Sequence, residues 1–325
     1  MKSIHEIEFF FKTKYFDEFL KALKILKNCS ICPRECGANR YSSKLGYCNG
    51  DTSFNIASVC KHHGEEPVIS GKNGICNVFF SGCNLQCVYC QNFQISSNKI
   101  ERPKHSQDLK EVVHSIIKLL DEGCHAVGFV SPSHNIPHVM IIINILRKLG
   151  KNPVFVFNTG AYDKLDVLRQ LEAMTDVYLP DFKYMDDSLA ESLSDVTDYS
   201  EIAGKAIKEM YRQKGNRLLL NERGEAESGL IIRHLVLPGY IENSISVLRY
   251  IAEEISPDVH ISLMSQYNPT INTSSHPKLK RCLAKYEYER VIDEMHRLGF
   301  HNGWIQELDS PDNYNPDFSR DKPFH

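Results

Sequence analysis

The 325-residue chain contains a single tryptophan, no repeat of fixed period, no low-complexity run and no apolar stretch longer than Val139 to Leu146. That stretch falls far short of the roughly 20 residues that span a bilayer, and Arg147 and Lys148 follow at once. A buried helix is expected there, and no membrane span. Charge of one sign is also lacking: 38 Lys and Arg face 41 Asp and Glu, interspersed, for a formal net charge of −3. Without a basic stripe to neutralise phosphates, nucleic acid is not an expected partner. The first residues, Met1-Lys-Ser-Ile-His-Glu6, lack the basic start and apolar run of a secretory signal, so a cytoplasmic location is expected.

Cysteine is what the chain has in quantity, with eleven residues. A cytosol keeps thiols reduced, so metal or redox chemistry explains them better than disulfides. Cys29, Cys32, Cys36 and Cys48 form one group, and Cys83, Cys87 and Cys90 another. Cys60, Cys76, Cys124 and Cys282 stand alone and are expected to be small buried hydrophobes. For Cys76, seven residues before Cys83, a role as a further metal ligand is the alternative.

Residues 5–27 place Phe9, Phe10, Phe16, Phe19, Leu20, Leu23 and Leu26 among charges at approximately helical spacing. Residues 28–75 are rich in Gly, Ser, Asn and Cys, with one short strand candidate at 53–59, and need a metal or a neighbour to fix them. From residue 76, apolar strand candidates at 77–81, 126–131, 154–157, 176–180, 230–237 and 260–264 alternate with helical periodicity. The clearest helix carries Leu109, Val112, Val113, Ile116, Ile117 and Leu120. Strand–helix units in series imply a parallel sheet, and a partial β/α barrel places its chemistry at the carboxyl ends of the strands. The expected division is an N-terminal helix and Cys-rich segment over 1–75, the barrel over 76–310 and a tail over 311–325.

Cys83-Asn-Leu-Gln-Cys87-Val-Tyr-Cys90 follows directly on a strand candidate, which puts three thiols at a strand's carboxyl end. Structural zinc takes four ligands and a [4Fe–4S] cluster one per iron, so three cysteines leave a coordination position for a substrate or cosubstrate. This segment, with Tyr89 before its last cysteine, resembles the radical S-adenosylmethionine (radical SAM) superfamily. Gly74 to Cys83, with Gln91-Asn92 after the loop, is similar to the pyruvate formate-lyase activating enzyme group within it. The resemblance implies a partial (β/α)6 barrel of the radical SAM type and a [4Fe–4S] cluster on Cys83, Cys87 and Cys90. It also implies S-adenosylmethionine as cosubstrate, its cleavage to a 5′-deoxyadenosyl radical that abstracts hydrogen, and an electron donor such as flavodoxin or ferredoxin.

The same resemblance assigns roles after later strands. The family's Gly-Gly-Glu-Pro turn, whose backbone contacts the methionine amino group, corresponds to Gly128-Phe-Val-Ser-Pro-Ser-His134, with Ser131 at the contact and the Glu absent. A plain turn capped by Ser133 is the alternative. Asn158-Thr159-Gly160 and Asp181-Phe-Lys183 resemble turns that bind a monovalent cation beside the methionine carboxylate, with Lys183 facing that anion; local turn hydrogen bonds are the other reading for Asn158 and Thr159. Arg233, in a strand like the family's Arg-x-x-x-x-Pro-Gly, would approach the carboxylate and ribose, or else pair with a buried acid. His234 points to the other face as a packed histidine. Tyr267 falls near a family histidine that contacts the cosubstrate, and is otherwise core.

Cys29, Cys32, Cys36 and Cys48 supply four thiols on a turn-rich segment, which suits zinc or a second [4Fe–4S] cluster. His62-His-Gly-Glu-Glu-Pro67 is expected to be a polar loop, with closure over the site as acid–base groups or binding of a protein substrate the alternatives. Three functions follow: hydrogen abstraction that activates a glycyl-radical enzyme, radical modification of a small molecule or peptide, or a non-catalytic iron–sulfur protein for electron transfer.

Overall fold

A computed structural model describes residues 4–42, 45–99, 108–308, 316–320 and 322–324, so part of the expected 311–325 tail lies outside the described residues. The strands are β1 (Ile56–His62), β2 (Ile75–Phe80), β3 (Ala126–Val130), β4 (Val154–Thr159), β5 (Val177–Pro180), β6 (Leu219–Leu220), β7 (Ala226–Leu235), β8 (His260–Met264) and β9 (Gly303–Ile305). They form one sheet in the order β1-β2-β3-β4-β5-β7-β8-β9, with β6 paired to β7 off this path. Every neighbouring pair from β2 to β9 along that order is parallel. The chain is therefore α/β, a partial barrel of six strand–helix units with a short further strand, as expected.

Both faces of such a sheet are covered, so its strands are continuously apolar rather than alternating. All six residues of β2 and all five of β3 are buried. Helices Leu109–Asp121, Ile136–Lys148 and Ile241–Glu254 pack on the outside. The first begins with a capping box in which Asp108 accepts from Lys110 N and Glu111 accepts from Asp108 N, worth about 1 kcal/mol. It buries Leu109, Val112, Val113, Ile116 and Ile117. The second opens with Pro137 in its first turn and buries most of the apolar run that begins at Val139. Among the described residues no helix is long and apolar enough to cross a membrane.

Three expectations are corrected. The single helix over 5–27 is broken into Ile4–Phe10, Lys14–Leu20 and a 3₁₀ stretch Lys21–Asn28, with Thr13 Oγ1 donating to Phe10 O at the first break. The 53–59 strand lies at 56–62 and pairs antiparallel with β2, which draws the end of the Cys-rich segment into the sheet. Cys60, Cys76 and Cys124 are buried, but Cys282 is exposed.

Candidate functional site

Gly82, two residues past β2, is left-handed (φ +75°), and a Cβ there would lie 2.7 Å from the Cys48 carbonyl oxygen. The loop that follows is held by Asn98, which accepts from Cys83 N and donates to Cys83 O. Val88 N and Gln86 N donate to Leu193 O and Ser194 O at the end of helix Asp187–Ser194. Cys83, Cys87 and Cys90 thereby line one cavity of about 400 Å³ at the carboxyl end of the sheet. The sulfurs meet polar partners: Leu85 N at 3.4 Å and Asn84 Oδ1 at 3.8 Å from Cys83, Ser194 Oγ at 2.9 Å from Cys87 and Ser96 Oγ at 3.2 Å from Cys90.

Burial pushes the Cys83 thiol up to about 12, with Cys87 and Cys90 adding to the rise, and burial raises Cys90 as well. Three crowded thiols that resist ionising on their own fit a polynuclear cation, whose charge would compensate all three. Among the described residues no three Cys, His, Asp or Glu close to the geometry of a single metal ion.

The same cavity brings together Ser131, Asn158, Thr159, Asp181, Lys183 and Arg233, with Tyr89 in its wall. Ser131 is left-handed (φ +51°), and its N–H donates to Asn158 O. Ser133 does not cap the next helix, whose N-cap is Asn135; its hydroxyl meets Thr159 Oγ1 at 3.1 Å, and Thr159 donates in turn to Asp163. Asp181 and Arg233 face each other in the parallel register. Arg233 donates to Asp181 (2.7 Å), Glu65 (3.0 Å) and Asn158 (2.7 Å), and Lys183 donates to the other Asp181 oxygen at 2.7 Å. Burial opposes both charges of the central pair, but Arg233 and Lys183 hold Asp181 below its ordinary range, and Asp181 and Glu65 hold Arg233 charged. The oxygens on which a monovalent cation would depend are thus already paired.

Tyr267 is absent from the cavity wall: it is buried and donates to Leu279 O at 2.6 Å. His234 faces away, between Phe182 O and Ser244 Oγ, and burial lowers it to about 4. Two groups escaped the sequence reading, and Glu65 and Glu66 entered it only through the alternative of loop closure over the site. Both acids line the cavity; Glu66 is buried, its Oε2 has no partner among the described residues, and burial raises its carboxyl against the pull of Arg233. Phe324 also lines it, its ring 4.0 Å from that of His62. Asn98 clamps the cysteine loop, and an Asn among Ser and Lys carried no signal.

The second cysteine group forms its own small cavity, lined by Cys29, Cys32, Cys36 and Cys48 with Arg34, Tyr47, Asn84 and His134. Gly46 makes room for it, since a Cβ there would sit 2.5 Å from Cys36 Sγ. Burial pushes Cys32 up to about 12, with repulsion from the other three thiols adding. Arg34 donates to Asn84 O beside Cys83 and stacks 3.7 Å from the Tyr47 ring. Asn84 lines both cavities, so the two cysteine groups share a wall.

A model of the radical SAM superfamily matches residues 77–222. An uncharacterised protein of Methanocaldococcus jannaschii is 31% identical over 277 residues, covering 84% of this chain and 75% of its own. Among solved structures, Streptococcus suis SuiB bound to S-adenosylmethionine is similar with a TM-score of 0.48 at 15% identity, over 70% of this chain and 48% of that one. A domain of pyruvate-formate lyase-activating enzyme from Bacteroides vulgatus gives 0.38 at 16%, over 53% and 93%. The chain spans about half the length of SuiB. By the family match within the barrel and the extended likeness to its archaeal relative, the chain belongs to the radical SAM superfamily, which implies an enzyme with a [4Fe–4S] cluster and S-adenosylmethionine.

Proposed function

We propose that Cys83, Cys87 and Cys90 hold the catalytic [4Fe–4S] cluster and that S-adenosylmethionine binds across the polar rim of the same cavity. When bound, the pair supplies reductive cleavage of the sulfonium to methionine and a 5′-deoxyadenosyl radical, which takes a hydrogen atom from the substrate. The observation that carries this reading is a set of three thiols, not four, on the wall of a cavity large enough for a ligand. A non-catalytic electron carrier would have no use for such an opening.

The chain's own residues position and shield. Ser131 and the turn Asn158-Thr159-Gly160 bring backbone to the cavity, and Lys183 keeps an ammonium there that suits a carboxylate. Tyr89 and the barrel wall keep water from the reacting atoms. An electron donor of the flavodoxin or ferredoxin kind is required, since each cleavage consumes one electron. Activation of a glycyl-radical enzyme is supported by the likeness of residues 74–92 to the activating enzymes. Modification of a small molecule or peptide is favoured by the charged floor of Glu65, Glu66 and Arg233, which suits recognition of a polar group inside the barrel. Cys29, Cys32, Cys36 and Cys48 are proposed to hold a second metal, zinc or a [4Fe–4S] cluster.

Anaerobic reconstituted protein, reduced with dithionite in the presence of S-adenosylmethionine, should form 5′-deoxyadenosine. Cys87→Ala should remove both the catalytic-cluster chromophore and this product. An intact cluster at 83, 87 and 90 with no 5′-deoxyadenosine would refute the reading.

A further inference from the structure

The three cluster-loop sulfurs are not equivalent. Cys87 receives the shortest contact, 2.9 Å from Ser194 Oγ, and among the described residues it alone has a chain of hydroxyls behind its donor. Ser194 Oγ lies 2.7 Å from Tyr184 OH, which lies 2.6 Å from Tyr89 OH. All three residues are buried. Ser194 is the last residue of its helix, and the carbonyls of Leu193 and Ser194 accept N–H groups from the cysteine loop, so the hydroxyl is aimed by backbone.

Proton counting fixes the direction of this chain. A thiolate only accepts, so the single Ser194 proton goes to Cys87. The Ser194–Tyr184 contact then needs the Tyr184 proton, and the Tyr184–Tyr89 contact needs that of Tyr89. Three O–H dipoles therefore line up head to tail toward one sulfur, in an interior where such chains strengthen each other.

We infer that Ser194, backed by Tyr184 and Tyr89, is a positioning residue that raises the reduction potential of the cluster through Cys87, an inference that rests on Cys87 being a cluster ligand. Reduction adds negative charge that spreads onto the thiolates. A donor aimed at sulfur stabilises the reduced state more than the oxidised one. Ser194 and Tyr184, which lie behind the cavity wall, thus make the electron easier to load through Cys87.

The test is a redox titration of the anaerobic, reconstituted full chain, followed by electron paramagnetic resonance, with iron and sulfide analysis to count clusters. Ser194→Ala should lower the equilibrium constant for reduction about tenfold, a shift of 59 mV to more negative potential for one electron. Tyr184→Phe, which keeps the Ser194 donor but removes its support, should shift the same way by a fraction of that. Tyr89→Phe should shift least, and Ser194→Thr should stay near the parent. A purely structural serine would not produce this graded order. A fully loaded Ser194→Ala variant at the parental potential would overturn the inference while leaving the proposed function standing. If Ser194→Ala fails to load, a Tyr184→Phe potential equal to the parent overturns it instead. A parent chain that holds no cluster at Cys83, Cys87 and Cys90 overturns both.

Discussion

Replacing Arg233 with methionine removes a guanidinium whose side chain is 12% exposed and whose partners Glu65 and Asp181 are 10% and 19% exposed. The two acids are left in different states. Asp181 keeps Lys183 at 2.7 Å, whereas Glu65, among the described residues, keeps the Asn77 amide at 3.0 Å and the Asn158 amide at 3.3 Å but no Lys or Arg. Stranding a buried charge costs about 3–5 kcal/mol. Glu65→Gln alone, which gives up one charge-assisted bond but leaves Arg233 on Asp181, should cost about 1–2 kcal/mol. Combined with Arg233→Met it removes the stranded charge, so the double variant should recover roughly 2 kcal/mol relative to Arg233→Met. Urea midpoints of the four proteins, by circular dichroism under anaerobic conditions, measure these losses. Additive losses would refute the assignment of Glu65 as the dependent partner.

Other outcomes follow from single contacts. Gly46→Ala should push a methyl against Cys36 Sγ and lower metal bound at the N-terminal group while leaving catalytic-cluster iron unchanged; elemental analysis of Gly46→Ala and of Cys36→Ala should agree. His138, buried beside Arg40, is lowered to about 4, chiefly by burial, so its stabilisation is complete above the unfolded value near 6.5 and is lost as pH falls toward 4. A loss of up to roughly 3 kcal/mol over that window is expected, and His138→Gln should flatten the slope; equal slopes would exclude His138 as its source. Ser131→Gly should keep cosubstrate affinity, because its left-handed backbone is what the cavity uses. Ser131→Val should weaken it by straining that backbone, as equilibrium binding of S-adenosylmethionine would show.

What was legible in the sequence follows the range of the interactions. The strand at His260–Met264 was read to the residue and that at Ala126–Val130 within one, because a run buried on both faces announces itself locally. The helix at Leu109–Asp121 was legible for the same reason, from its apolar stripe. The three residues of β9 and the two of β6 are too short to carry a period, and only pairing with longer neighbours defines them. The cysteine groups were legible because spacing alone brings their sulfurs together. Phe324 was not, since it meets the cavity through a fold contact that no local pattern encodes.

Tyr267 and Asp181 show how the sheet decides such cases. Both were placed by likeness at strand ends, where a side chain can turn into the barrel or back under a helix. Asp181 is fixed because the parallel ladder continues past β5: its N–H donates to Thr159 O, and Phe182 N donates to Arg233 O, which sets Asp181 opposite Arg233. Past β8 the side chain of Tyr267 instead goes under the chain at Leu279. The register that fixes Asp181 also fixes its countercharge. A guanidinium with three partners, delivered by the neighbouring strand, stands where the resemblance implied a monovalent cation. Cosubstrate binding should accordingly be insensitive to exchange of sodium for potassium. A several-fold change in S-adenosylmethionine affinity between the two salts at equal ionic strength would show that Arg233 yields its place, and that the pairing seen here is broken when the cosubstrate binds.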